Sequence, residues 1–282
     1  MAERPLNVAI TGGSKNIGRE IALYFAKTKF GRAGDATPEV RPYDVANVAI
    51  GYRTDNDNNV RRNLNLVKTM NDAGSRAVAV QGDLAKASGR FNFAEGVGGW
   101  GAELGGVDLL VLNAAGGLEE DVPEDYGNLI NNVAQVDLVE RMSTVMSEDQ
   151  PTVMLLESSW SELYPDLGGP VLPGYREKVA ATKKEGRNNV VRVVEELYVP
   201  IGGRALILAA GIVEGTAIGR LAEEGFPEFY EEQQEMGNVV GIKEVAEAVV
   251  EIAHDPELPH GYVKWVGSST EALLEKYPAS EI

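Results

Sequence analysis

The chain has 282 residues, no cysteine, two histidines (His254 and His260) and a net charge of −17 from 43 acidic and 26 basic side chains. The missing thiols exclude disulfides, thiolate nucleophiles and zinc–thiolate sites, and a field of that sign repels nucleic acid and anionic membrane. With no stretch of signal-peptide type and no apolar run of membrane-spanning length, the chain reads as soluble and cytoplasmic, with no nucleic-acid, membrane or metal partner.

In chain order, apolar runs predict strands at 6–10, 45–52, 77–80, 107–112, 153–156, 205–208 and 262–266. Most are continuously apolar rather than alternating, the pattern of strands covered on both faces of a parallel sheet. Helical periodicity fills the gaps. Ile17, Ile21, Tyr24 and Phe25 share one face, as do Val60, Leu64, Val67 and Met70, and Val190, Val194 and Leu197 mark a later helix. Strand and helix alternate to the end, which predicts a single doubly wound α/β domain over 1–282. Two segments break the alternation. Residues 28–47, with Gly31, Gly34, Pro38 and Pro42, are long for a helix-to-strand link and read as a surface insertion. Residues 213–240, rich in Glu and carrying Phe226, Phe229, Tyr230 and Met236, read as a candidate substrate lid or, equally, as a peripheral helical pair covering core.

The first strand runs into Thr11-Gly12-Gly13-Ser14-Lys15-Asn16-Ile17-Gly18, and a helix follows. A glycine-rich turn between strand and helix lets the backbone approach a pyrophosphate, which then sits on the helix N-terminus in a Rossmann-type site. Asn16 stands where the related pattern Thr-Gly-x-x-x-Gly-x-Gly has its middle glycine, and asparagine is the residue best able to take glycine-like backbone angles. The second strand ends Tyr52-Arg53-Thr54, with no acid before Asp55 to accept from a ribose 2′-hydroxyl. Arg53 could fork onto a 2′-phosphate, with Lys15 as a second positive charge, so NADP(H) is the expected cofactor.

These pieces, with others in matching order, resemble the short-chain dehydrogenase/reductase superfamily. Asp83-Leu84 looks like the pair that contacts adenine. Asn113-Ala114-Ala115-Gly116 looks like the Asn-Asn-Ala-Gly segment that supports cofactor and sheet. Ala210-Gly211 takes the place of the usual Pro-Gly, with Thr216 as a contact to the nicotinamide carboxamide.

The resemblance implies a catalytic serine, tyrosine and lysine. The tyrosine protonates the carbonyl oxygen, the lysine lowers its pKa and holds the ribose, and the serine positions the oxygen. Ser159 matches the serine by position, with Ser158 and Ser161 as neighbours. The Tyr-x-x-x-Lys pair has two alignments. Tyr175 with Lys178 keeps the chemistry but is one residue short. Lys183 keeps the expected helix length but puts Val179 at the tyrosine position. Asn132, with Asn131 beside it, looks like the asparagine of the family's water-linked proton path.

The resemblance therefore implies an NAD(P)H-dependent ketoreductase acting on a small-molecule ketone, with homo-oligomers by analogy. If the tyrosine is absent, the proton comes from solvent or from a phenol beside the ketone, as aromatic polyketides provide. The site is in that respect similar to ketoreductases that tailor such antibiotics, the angucyclinone type among them. The alternative is a non-catalytic NADP(H)-binding sensor. Elimination of halide from halohydrins, performed by relatives without a dinucleotide turn, ranks below both.

Overall fold

The computed structural model describes residues 4–27, 45–53, 57–118, 122–166, 172 and 174–278. Seven strands form one parallel sheet: β1 (Asn7–Ile10), β2 (Asn47–Tyr52), β3 (Ala77–Gln81), β4 (Leu109–Leu112), β5 (Thr152–Ser158), β6 (Arg204–Ala210) and, after a short parallel pair β7 (Ile212–Val213) and β8 (Val239–Val240), β9 (Tyr262–Val266). The sheet order is β3-β2-β1-β4-β5-β6-β9. It reverses direction between β1 and β4, which leaves a crevice at their carboxyl ends.

The helices are α1 (Asn16–Lys27), α2 (Asp57–Asp72), α3 (Ala87–Ala102), α4 (Tyr126–Asn128), α5 (Ala134–Met142), α6 (Ser159–Glu162), α7 (Ala181–Leu197), α8 (Ala217–Gly225), α9 (Pro227–Glu235), α10 (Ile242–Ala253) and α11 (Thr270–Lys276). Successive strand residues point to opposite faces, so each apolar run feeds two cores. Val8, Ile10, Val48, Ile50, Val111 and Leu206 pack on α1 and α10 through Ile21, Phe25, Val245 and Val249. Ala9, Leu110, Leu112, Val153 and Ile207 pack on α3, α5 and α7 through Phe93, Val97, Leu138 and Val194. This two-sided burial is why the strands read as unbroken apolar runs.

Two π turns matter for the site. Leu129–Val133 joins α4 to α5, and Arg176–Ala180 leads into α7. The two rods meet at Gly186 of α7, where a Cβ would lie 2.0 Å from the Asn131 carbonyl oxygen. Of the expected insertion at 28–47, residues 28–44 lie outside the described residues, and Asn47 already pairs with Asn7 in the sheet. Within 213–240, β7 and β8 pair in register, Ile212 with Val239 and Val213 with Val240, so both ends of α8–α9 are tied together. The sequence pattern did not reveal these two strands, because two-residue runs carry no period. No helix among the described residues is long and apolar enough to cross a membrane.

Candidate functional site

The glycine turn and the segment after β4 are built against each other. The Thr11 amide donates to the Val111 carbonyl (3.0 Å), and the Thr11 hydroxyl accepts from the Asn113 and Ala114 amides (2.9 and 3.0 Å). The Asn113 side chain donates back to the Thr11 and Gly12 carbonyls (3.0 and 3.2 Å). Gly12 and Asn16 both sit in the left-handed region, at φ +62° and +51°, which favours glycine and then asparagine. At Gly18 a Cβ would lie 2.5 Å from Asn113 Nδ2 and 2.6 Å from the Gly12 oxygen. Only glycine lets α1 start this close to the turn. The unpaired amides at the start of a helix attract an anion, so the cradle fits a pyrophosphate.

Arg53 is exposed at the end of β2, and its Nη1 donates to the buried Tyr126 hydroxyl (2.8 Å). Lys15 opens instead onto a cavity of about 460 Å³ between α1 and α2, shared with Arg19 and Arg62. These two arginines were not singled out from the sequence. They lie on helices whose exposed faces are otherwise ordinary, and only the packing of α1 beside α2 groups them with Lys15. Asp83 lies 3.4 Å from Lys86, and Leu84 is buried with its carbonyl accepting from Arg90 (2.9 Å).

At the carboxyl ends of β4, β5 and β6 lies a cavity of about 570 Å³. Ile17, Asn113, Ala115, Gly116 and Gly211 form its cofactor-side wall. Leu118, Trp160, Leu172, Ile218, Leu221 and Phe229 form an apolar wall opposite, the last three from α8 and α9. Thr216 lines the cavity too, but its hydroxyl already caps α8, donating to the Val213 carbonyl (2.7 Å) and accepting from the Gly219 amide (3.0 Å).

The catalytic candidates divide. Ser158, not Ser159, lines the cavity. Ser158 is the N-cap of α6 and accepts from the Ser161 amide (3.0 Å), which holds its side chain at the strand end. Ser159 is the first helical residue and turns inward. It is 1% exposed, and its hydroxyl has no hydrogen-bond partner among the described residues. Lys183 lines the cavity and is buried, whereas Lys178 is exposed and absent from the wall. Asn132 turns away, bonded to Asn128 and Asn189 at 3.0 Å each. Asn131 instead donates to the Gly116 carbonyl (2.9 Å) and to Thr182 (3.0 Å).

Tyr175, Val179 and Lys183 all line the cavity. Tyr175 and Lys183 are eight residues apart (183 − 175). Two α-helical turns take up about 7.2 residues, and a π turn adds roughly one more. The π turn at Arg176–Ala180 thus puts the tyrosine and the lysine on one face, although their spacing matches neither alignment read from the sequence.

One member of the site was missed altogether. Glu157 is 5% exposed at the end of β5 and lines the cavity. Its Oε2 accepts from Ser161 Oγ (2.8 Å) and lies 3.5 Å from Lys183 Nζ, which also donates to the Leu156 carbonyl (2.7 Å). A carboxyl in an otherwise apolar strand was the available signal. Burial pushes the Glu157 carboxyl above the usual carboxylate range, against the pull of Lys183. Burial, offset by the Ser158 hydrogen bond, pushes the Tyr175 phenol up to about 12. The phenol is therefore protonated at neutral pH and donates to Ser158 Oγ (2.7 Å). The wall can thus offer a neutral acid, a paired cation and an apolar floor to one bound group. Among the described residues no cluster of three or more His, Asp or Glu side chains converges on a point.

No known family model matches the chain. In three dimensions it is similar to a blue fluorescent protein from a metagenomic library in complex with NADPH, with TM-score 0.72 and 22% identity over 94% of this chain and 98% of that one. It is also similar to a short-chain dehydrogenase from Burkholderia cenocepacia J2315 in complex with NADP, with TM-score 0.70 and 21% identity over 95% and 98% of the two chains. An angucycline C-6 ketoreductase, LanV, with bound NADP gives TM-score 0.67 and 21% identity over 94% and 95%. At these identities the likeness establishes the fold, a Rossmann-type α/β sheet shared over nearly the whole chain.

Proposed function

We propose that the protein is an NADPH-dependent ketoreductase of the short-chain type, reducing a planar aromatic ketone to an alcohol. The observation that carries this reading is the single cavity wall that combines Tyr175, Ser158 and Lys183 with the glycine cradle at the other end of the same crevice. The crystallised neighbours with NADP or NADPH support the choice of cofactor. The apolar wall of Leu118, Trp160 and Phe229 supports a flat substrate of the polyketide kind, which the angucycline ketoreductase among the neighbours also favours. The α8–α9 segment is then the lid.

The turn at Thr11–Gly18 would hold the pyrophosphate, with Asn113 fixing the turn's carbonyls. Lys15 would meet the 2′-phosphate together with Arg19, Arg62 or Arg53. Lys183 would reach the nicotinamide ribose from the α7 side. When bound, the reduced cofactor supplies a hydride to the carbonyl carbon. Tyr175 gives its phenolic proton to the carbonyl oxygen, and Ser158 keeps the phenol oriented. The alkoxide left by hydride addition is more basic than a phenolate, so even a phenol near 12 gives up its proton to it. The apolar wall excludes water and strengthens each of these contacts.

Mixing the protein with NADPH and a panel of bicyclic and tetracyclic aryl ketones, while following reduced-nicotinamide absorbance, tests the reading. Turnover on aryl ketones is the expected result. Tight NADPH binding without turnover on any ketone would favour the sensor, the reading suggested by Val179 four residues before Lys183. A second measurement checks cofactor choice. Lys15→Ala should raise the apparent KM for NADPH by roughly tenfold or more, the value of a charge-assisted phosphate contact, and leave that for NADH unchanged. Equal use of NADH by the unaltered protein would overturn the assignment.

A further inference from the structure

The polar groups behind the cavity wall form one continuous chain. Tyr175 Oη lies 2.7 Å from Ser158 Oγ, Ser158 Oγ lies 3.1 Å from Ser161 Oγ, and Ser161 Oγ lies 2.8 Å from Glu157 Oε2. Ser161 is 0% and Glu157 5% exposed. Glu157 Oε1 is buried without a hydrogen-bond partner among the described residues. Three hydroxyls in a row, ended by a carboxyl, can pass a proton in either direction because each hydroxyl both donates and accepts. Tyr175 and Lys183 both line the cavity, and Glu157 next to Lys183 supplies a wired connection between the two ends.

We propose that Glu157 is the internal proton reserve of the reductase, recharging Tyr175 through Ser161 and Ser158 after each turnover; this rests on the ketoreductase reading above. Hydride from NADPH forms the C–H bond at the carbonyl carbon, and the Tyr175 O–H breaks to protonate the carbonyl oxygen. The phenolate takes the Ser158 proton, Ser158 takes that of Ser161, and Ser161 takes the proton of the Glu157 carboxyl. The resulting carboxylate faces the Lys183 ammonium, which stabilises it until a proton from solvent restores the acid. Four elements face this carboxyl or bear on it. β5 carries Glu157 itself and α7 contributes Lys183. α6 contributes Ser161 and Glu162, whose negative charge opposes ionisation of Glu157. Glu162 is in turn held by Lys184 (3.4 Å) and Arg187 (3.1 Å), also from α7. The phenol belongs to the turn before α7.

The relay predicts a split between first and later turnovers, since Tyr175 starts protonated and only its recharging needs the chain. Glu157→Gln keeps the shape and the acceptor for Ser161 but carries no transferable acid proton. Ser161→Ala cuts the wire and leaves Glu157 and Lys183 in place. Both variants and the unaltered protein are loaded with NADPH and mixed rapidly with an aryl ketone such as 1-tetralone. The expected result is a first turnover within twofold of the unaltered protein, then a steady-state rate at least about tenfold slower, in the range of a lost general acid. Imidazole or acetate buffer, as a diffusible acid, should restore the steady-state rate. Equal steady-state rates in all three proteins would overturn the relay. So would a first turnover slowed as much as the later ones, or slow steady-state turnover that no buffer rescues, since either marks a purely structural role. An unaltered protein that binds NADPH but turns over no ketone would overturn the ketoreductase reading and the relay with it, a pattern distinct from the first three.

Discussion

Tyr175→Phe should lower kcat by about 10²–10⁴-fold while leaving the KM for NADPH near its original value, the usual effect of removing a positioned general acid. The phenol lines the cavity and among the described residues donates to Ser158, at 2.7 Å, so phenylalanine keeps the apolar packing and removes the proton alone. Steady-state kinetics over pH 6–9 provides the check. The phenol should add no alkaline limb to the profile up to pH 9, because a phenol raised to about 12 by burial stays protonated throughout that range. Activity that survives the substitution nearly intact would assign the proton to the substrate's own phenol or to solvent. The stability cost is small, since Ser158 Oγ keeps its partner in Ser161.

Lys183→Met should destabilise the fold by up to about 3–5 kcal/mol at pH values where Glu157 ionises, because it then strands a buried carboxylate. Lys183 Nζ lies 3.5 Å from Glu157 Oε2, with both side chains almost fully buried, and its hydrogen bond to the Leu156 carbonyl (2.7 Å) is lost as well. The loss depends on pH. Burial already holds the Glu157 pKa above its unfolded value, and without the ammonium it rises further. A group raised in this way contributes its full stability below the unfolded pKa of about 4.3 and loses it as pH rises through the folded value. The deficit should therefore be smaller at pH 5 than at pH 8, as measured by urea unfolding at both. Adding Glu157→Gln to Lys183→Met should recover part of the deficit at pH 8, because no charge is then left unpaired.

Particular residues show how far the sequence reaches. The runs ending at Ile10 and Leu112 were legible because strands covered on both faces must be apolar at every position. The turn at Thr11–Gly18 was legible because a close approach of backbone to backbone leaves a chemical mark, Gly18 against Asn113 and Asn16 at a positive φ. These are local demands, each met by the residue that feels it. The choice between Ser158 and Ser159 was not local. It turns on which one caps α6, and a one-residue shift on a strand end reverses the side chain's direction.

The sequence by itself determined the sheet, the glycine cradle and the presence of a lysine-bearing helix after β5. Only the tertiary structure decided that Tyr175 and Lys183 share a wall, because one residue of π turn rotates everything before it and leaves no trace in a spacing rule. It alone also decided that Glu157 is buried and wired through two serines to the phenol. A carboxyl tolerates such burial only where partners from other elements reach it. Here those partners are Lys183 of α7 and Ser161 of α6, distant along the chain or facing it only after folding.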